Sequence, residues 1–230
     1  MAKKKDKTED KIAAVEHALD RGEQFFEKNK NMIFYVLLGI IIIVGGIFAY
    51  KKFILGPKQI EAQAAMFYAE KYFEKDSLKL AMNGDGTNPG FIQILDQYGS
   101  TKSGNLAKYY LGVCYLKTGE FQQAIDKLES FSSDDQIITA MAIGATGDAY
   151  LELGNKDKAL EKYLKASEKR NNDFTTPMFL LKAGWTYELL GQYDKAISVY
   201  EKIQKEHFKS FESRDIEKYL ARAKGLMGSK

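Results

Sequence analysis

Few residues in this sequence have both the type and the company that chemistry requires. A thiol nucleophile needs an oriented base, yet the 230-residue chain has one cysteine, Cys114, and two histidines, His17 and His207. Cys114 falls inside a helical repeat, where a small packed core residue is the expected role. His207 follows Glu206 near the end of an expected helix, where a histidine meets the negative helix terminus favourably. A lone cysteine forms no intramolecular disulfide, and two histidines provide no zinc framework. Asp134 and Asp135 sit in a serine-rich turn, and the other carboxylates are spread over polar helix faces without an acid and base pair. The loop Asn83-Gly84-Asp85-Gly86-Thr87-Asn88-Pro89-Gly90 has a faint calcium-loop look. Its sixth position is Asn88 rather than glycine and its twelfth is Ile94 rather than glutamate, and no Gly-Lys-Ser/Thr follows to make a phosphate loop. The expectation is a non-enzyme without catalytic residues, metal, cofactor or small-molecule substrate. From Phe53 onward, 24 Lys or Arg balance 24 Asp or Glu, so the basic field of a nucleic-acid binder is missing and no nucleic-acid partner is expected.

Binding is the remaining activity, and the elements that would position a binding surface come in two kinds. Met32 to Tyr50 is an uncharged run of 19 residues. As a helix it spans about 28 Å, close to the roughly 30 Å hydrocarbon thickness, and Phe53, Ile54 and Leu55 extend it if Lys51 and Lys52 snorkel. A cleavable signal is the competing reading, but it calls for a shorter apolar stretch ending at a small-x-small site. This run ends Phe48-Ala49-Tyr50-Lys51, so residues 32–55 read as an uncleaved, membrane-spanning signal anchor. Flanking charge is tied, with Arg21, Lys28 and Lys30 before the span and Lys51, Lys52 and Lys58 after it. The 1–31 tail has eight basic and seven acidic residues, with Lys3, Lys4 and Lys5 at its tip, and long C-terminal domains translocate largely regardless of charge. A cytoplasmic tail and an exported C-terminal domain are therefore expected. Gly45 and Ala49 form a small-xxx-small pair that lets another membrane helix approach. In the tail Ile12, Val15, Leu19 and Phe26 make a narrow apolar helical stripe between Asp6 and Lys30. Lying on the membrane, pairing with a partner helix and fraying in water all stay open for it.

Beyond an expected break at Gly56-Pro57, the chain repeats itself. Leu111, Gly112, Cys114, Tyr115, Gly119, Phe121, Ala124 and Leu128 align without gaps on Gly147, Tyr150, Gly154, Ala159, Tyr163 and Ala166, and on Gly184, Tyr187, Gly191, Tyr193, Ala196, Tyr200 and Ile203. Small residues at 112, 147 and 184 allow two helices to approach. Glycines at 119, 154 and 191 end the first helix in a left-handed conformation, and the later alanine begins the buried stripe of a return helix. Each unit is thus a helical hairpin with a face that only its neighbour covers, and the stack is a solenoid. An upstream degenerate hairpin is expected from Ala62, Ala65, Phe67, Tyr68, Ala69, Tyr72 and Phe73, then Phe91, Ile94, Leu95 and Tyr98. A closing helix is expected from a Ser213 cap through Ile216, Tyr219, Leu220 and Ala223 to Met227.

This pattern resembles the tetratricopeptide repeat, whose small-x-x-Tyr, Gly and Ala-x-x-x-aromatic positions recur in it. The consensus tryptophan is replaced by Lys108, Ile143 and Leu180, which leaves the opening turn of the first copy in question, and Pro177 suits a first helical turn. Together with the anchor read from residues 32–55, the resemblance gives an all-α fold, a single N-terminal transmembrane helix followed by a tetratricopeptide-repeat solenoid. Its parts are the tail (1–31), the anchor (32–55), a degenerate first hairpin with a loop insertion (57–104), three repeats (105–212) and a capping helix (213–230). Projected onto this chain, the repeat geometry puts Tyr109, Val113 and Lys117, then Met141, Asp148 and Glu152, then Met178, Leu181, Trp185 and Glu188 on a concave, protein-binding face. Trp185 is the chain's single tryptophan and a natural hot spot, while the methionines suit varied apolar ligands. The groove is either open or filled by the closing helix or another packed segment of the chain. The whole arrangement resembles the YfgM-like ancillary subunits of the bacterial SecYEG protein-export channel. That likeness implies an inner-membrane protein with a periplasmic domain, partnered by the translocon and a PpiD-type membrane chaperone, which helps newly exported, unfolded chains. A scaffold subunit of another secretion or outer-membrane biogenesis complex is the alternative.

Overall fold

The computed structural model describes residues 7–229, so the Lys3 to Lys5 run and Lys230 lie outside it. Of the tail stripe, the side chains of Ile12, Val15, Leu19 and Phe26 also lie outside the described part. The chain divides into two compact units, Met1–Pro57 and Lys58–Lys230.

In the first unit, helix α1 runs Lys7–Tyr50 and is followed by a π-helical turn, Lys51–Leu55. The large side chains Ile41, Ile42, Ile43, Val44 and Phe48 all stand uncovered. The helical run Glu27–Glu74 includes a window long and apolar enough to cross a membrane, none of it buried against the described residues. Gly45, expected to admit a second helix, has nothing within 4 Å of where a side chain would begin. The expected break at Gly56-Pro57 does not occur: Gly56 is right-handed helical (φ −61°, ψ −56°) and donates its N–H to Lys51 O. That bond reaches back five residues rather than four. The widened turn spares Pro57 both the missing N–H and the ring clash that proline brings to a regular helical ladder.

The second unit is a succession of helices. Helix α2 (Gly56–Glu74) buries Ala62, Met66 and Ala69, while Phe67 and Tyr68 point outward. A short helix α3 (Leu78–Asn83), not foreseen from the sequence, buries Ala81 and Met82. The loop after it closes on Asp85, whose carboxylate accepts hydrogen bonds from Thr87 N, Asn88 N, Asn88 Nδ2 and Tyr72 Oη. Those donors hold the Asp85 carboxyl well below its usual range. Helix α4 (Phe91–Tyr98) returns to the core. The three hairpins follow as α5 (Lys102–Thr118) with α6 (Phe121–Glu129), α7 (Gln136–Glu152) with α8 (Lys156–Glu168), and α9 (Thr175–Leu189) with α10 (Tyr193–Glu206). A 3-10 turn, Glu212–Asp215, leads into α11 (Ile216–Gly228).

Local chemistry sets these boundaries. Thr101 caps α5 by accepting from Gly104 N at 2.9 Å, so the first hairpin begins three residues ahead of the 105 boundary. Its opening turn is helical despite Lys108, whose ammonium donates to Ser130 O at 3.2 Å beyond the end of α6. Gly119, Gly154 and Gly191 have φ of 84°, 77° and 70°. Past each, an N–H reaches back to the recurrent tyrosine carbonyl: Glu120 to Tyr115, Asn155 to Tyr150, and Gln192 to Tyr187, all within 2.9 Å. This is the Schellman arrangement, which occupies the orphan carbonyls at a helix end. Ser213 is not the cap of α11. Its hydroxyl donates to Phe208 O and Ser210 O, both at 2.8 Å, tightening the preceding turn and delaying the helix to Ile216.

Packing repeats as the sequence does. A side chain added at Gly112 would begin 2.6 Å from Leu128 Cγ, at Gly147 2.7 Å from Tyr163 Cε1, and at Gly184 2.1 Å from Tyr200 Cε1. Each pair is sixteen residues apart, one per hairpin. The core is a row of four clusters rather than one mass. Helix α7 contributes Ala142 and Ala149 to the cluster before it and Ala140 to the one after, and α9 does the same with Phe179 and Leu180. Ile216, Leu220 and Ala223 of α11 cover Ala196, Tyr200 and Ile203, closing the last hairpin.

Gly184→Ala is expected to lower stability by about 1–3 kcal/mol through overpacking against the buried Tyr200 ring. Gly225→Ala, in α11 with open space around it, is expected to be neutral or to add ~0.5–1 kcal/mol from helix propensity. Urea denaturation of the two variants beside the parent chain measures the contrast.

Candidate functional site

The expected groove residues separate into three groups. Tyr109, Val113 and Met141 are partly buried in the packing between hairpins, with the Tyr109 ring 5.6 Å from that of Phe131. Lys117, Asp148 and Glu152 meet on a cleft completed by Leu116, Phe121 and Leu151. Met178, Leu181 and Trp185 line a second cleft of about 260 Å³. Glu188 belongs to neither and is almost covered, its side chain 11% exposed.

Two of the acids tie their hairpin to the element that follows it, the next hairpin for Asp148 and the closing helix for Glu188. Asp148 on α7 accepts from the Tyr163 hydroxyl of its own return helix at 2.7 Å and from Lys182 Nζ of the next hairpin at 2.7 and 2.8 Å. Glu188 on α9 repeats the scheme, accepting from the Tyr200 hydroxyl at 2.7 Å and from Arg222 of α11 at 2.9 Å. Both acid–base pairs are 34 residues apart. Burial, with the neighbouring acid adding to it, pushes the Tyr163 and Tyr200 hydroxyls well above the ordinary phenol range. The first hairpin has Leu128 where the others have tyrosine, so it lacks a hydroxyl for this purpose. Lys117 instead reaches back to Asp76 and lies 5.9 Å over the Phe73 ring.

The second cleft owes its far wall to the closing segment. Tyr219 of α11 packs edge-on against Trp185, centroids 5.6 Å apart at 64°, and Phe211, Glu212 and Asp215 of the preceding turn complete the rim. Helix α11 therefore walls the cleft without filling it, and Trp185 stays 38% exposed. Sequence reasoning missed Tyr219, Phe211, Glu212 and Asp215 as cleft walls because it takes the closing helix as a cover of the last hairpin or a filler of the groove, not as one side of it. The signal present in the sequence is the spacing: Tyr219 and Arg222 stand 34 residues beyond Trp185 and Glu188, as a further first helix would.

Groups of reactive type point the other way. Cys114 is fully buried, and burial pushes its thiol up to about 12, with Lys117 opposing and Asp76 assisting. It is a protonated core residue, the reverse of an activated nucleophile. His207 does not address the carbonyls at the end of α10. Its ring turns inward, Nδ1 lying 2.9 Å from Asp173 Oδ1 across the two inter-hairpin turns. Among the described residues no three His, Cys, Asp or Glu side chains gather as a metal site would need.

Residues 106–134 and 179–210 match the tetratricopeptide repeat family model. Those two stretches are similar to tetratricopeptide repeats. The middle hairpin lies outside both matches yet has the same Gly147 approach and Gly154 cap. A Podosopora anserina chain described as a kinesin light chain with nearly identical TPR-like repeats is similar in fold: TM-score 0.58 and 14% identity, over 74% of this chain and 88% of that one. MamA aligns at TM-score 0.49 with 21% identity, over 74% of this chain and 93% of that one. Among curated sequences, mouse superkiller complex protein 3 is 30% identical over 129 residues, which is 56% of this chain and 8% of that protein's length.

The tyrosine hydroxyls give the repeat stack an alkaline weakness. Folded Tyr163 and Tyr200 keep protons that the unfolded chain releases near pH ~10, so stability is full below that value and falls as pH rises past it. Changing both to phenylalanine is expected to lower stability at neutral pH but flatten its decline between pH ~10 and ~11. Urea midpoints across that range read both effects.

Proposed function

We propose that this chain is a membrane-anchored protein-interaction module in which residues 32–55 hold a tetratricopeptide-repeat domain beside the bilayer. One observation carries the reading: the cleft on α9 leaves Trp185, Met178 and Leu181 lining an open cavity, although Tyr219 of the closing helix packs directly against Trp185. An apolar cleft of that kind, lined by an aromatic anchor, is how protein surfaces take hold of apolar side chains. The uncovered apolar faces of α1 supply the anchor.

The finer proposal is the one the sequence likeness suggests. The module is an ancillary subunit of a SecYEG-type export channel, working beside a PpiD-type chaperone, with its tail in the cytoplasm and its solenoid in the periplasm of a bacterial inner membrane. Its clients are unfolded exported chains, held and released without chemistry. Gly45 and Ala49 are the proposed contact with a neighbouring membrane helix.

In-cell crosslinking from a photoreactive residue at Leu181 is expected to capture several exported chains together with translocon subunits, and one at the exposed Gln204 of α10 to capture little. Trp185→Ala is expected to cut the Leu181 yield roughly tenfold while the helical fold is retained, as read by circular dichroism. Equal yields from both positions would remove the cleft from the account. A single stoichiometric partner would replace the client role with that of a fixed scaffold.

A further inference from the structure

The cleft on α9 is not neutral. Three charged side chains stand on its wall, Lys182, Glu212 and Asp215. Lys182 is already matched by Asp148 at 2.7 Å. Arg222, one turn along α11 from Tyr219, is matched by Glu188 at 2.9 Å. Neither Glu212 nor Asp215 enters an ion pair among the described residues. Asp215 occupies the N-cap position of α11 without spending its carboxylate on a capping hydrogen bond. The adjacent cation, Arg214, lies over the Phe211 ring at 5.1 Å and Arg222 lies over the Tyr219 ring at 5.1 Å, so two of the aromatic faces around the cleft already hold cations of the chain itself. The cleft thus joins an apolar, aromatic floor to two uncompensated carboxylates at its rim. At about 260 Å³ it has room for one or two side chains of a ligand, not for a folded surface.

We propose that this cleft binds an extended polypeptide segment in which a lysine or arginine adjoins a bulky apolar residue. The inference rests on the interaction-module reading and names the ligand class of that site. The apolar side chain enters between Leu181 and Trp185, and the neighbouring cation meets Glu212 and Asp215 beside the Trp185 and Tyr219 rings. Each half of such a ligand has a counterpart. The apolar part is desolvated against the floor, while the cation gains two carboxylates and a ring face at the rim, where charge complementarity favours it over an anion. A segment bearing glutamate in place of the basic residue meets the same floor but two like charges.

The single tryptophan makes the test direct, because all tryptophan emission comes from the site itself. The full-length chain in vesicles of zwitterionic lipid, which contribute no tryptophan of their own, is titrated with a short unstructured peptide centred on Leu-Lys-Phe-Arg-Leu, and with its counterpart Leu-Glu-Phe-Glu-Leu. The basic peptide is expected to shift Trp185 emission saturably and to bind at least roughly tenfold more tightly than the acidic one, with the advantage shrinking as salt rises. Glu212→Gln together with Asp215→Asn is expected to weaken the basic peptide roughly fivefold to tenfold and leave the acidic one unweakened, at an unchanged melting temperature. Equal affinity for both peptides, or an unaltered affinity in the double variant, would overturn the proposal. If crosslinking from Leu181 persisted in that case, the interaction reading would stand without the charge selectivity. Emission that shifts with the chain's own concentration and not with peptide would overturn it in favour of a second copy. No response to either peptide, with no adducts at Leu181, would sink both readings.

Discussion

The close approach of paired helices at a glycine is the constraint on which the rest depends. At Gly112, Gly147 and Gly184 there is no room for even one methyl group before Leu128, Tyr163 and Tyr200 are met. Dispersion falls steeply with separation, so helices drawn this close gain more from each contact than helices held apart by larger residues. The glycine also decides direction. It fixes which face of the first helix meets its return helix, and therefore which face is left for the neighbouring hairpin and which for solvent. The exposed Trp185 is next in sequence to one of these glycines, so its outward aim follows from the inward aim of Gly184.

Electrostatics adds order between hairpins rather than within them. Asp148 and Glu188 each receive a tyrosine hydroxyl from behind and a cation from the next hairpin or the closing helix. An acid with two charge-assisted or hydroxyl partners is held in one rotamer, and its partners are held with it. Such partly covered pairs contribute little net stability on their own, since desolvation offsets much of the attraction. Their larger effect is on register: Lys182 and Arg222 reach their acids in only one relative placement of the hairpins. The same neutralisation leaves Glu212 and Asp215 as the unmatched charges on the cleft, which is why the cleft has a sign.

Much of this was legible in the residues, and what was not has a physical reason. The caps at Gly119, Gly154 and Gly191 could be read because a left-handed terminus leaves a compositional mark. The close approaches could be read because only a small residue permits them. Helix α3 could not be read, since six residues between a loop and a turn carry too little periodicity. The helical backbone at Gly56-Pro57 was missed because a π-turn has no sequence mark of its own, while proline has a strong one. Tyr109, Val113 and Met141 are half-buried in the packing between hairpins, a depth of cover that a projected repeat geometry, which gives only the face of a helix, does not specify. The walls of the cleft at Tyr219, Phe211, Glu212 and Asp215 come from a segment outside the three repeats, and only the 34-residue spacing hinted at them.

An interaction surface built this way works only if the hairpins behave as one stack, each borrowing its cover from the next. Residue-resolved amide hydrogen exchange on the full-length chain in nanodiscs tests that coupling most directly, comparing the parent with a Gly147→Val variant. Loss of the α7–α8 contact should lower protection not only in those helices but also in α9, whose Phe179 and Ala183 pack into the same cluster. Protection in α9 that stays at the parental level while α7 and α8 open would mean that the hairpins fold independently, and the account of a single cooperative stack would be contradicted.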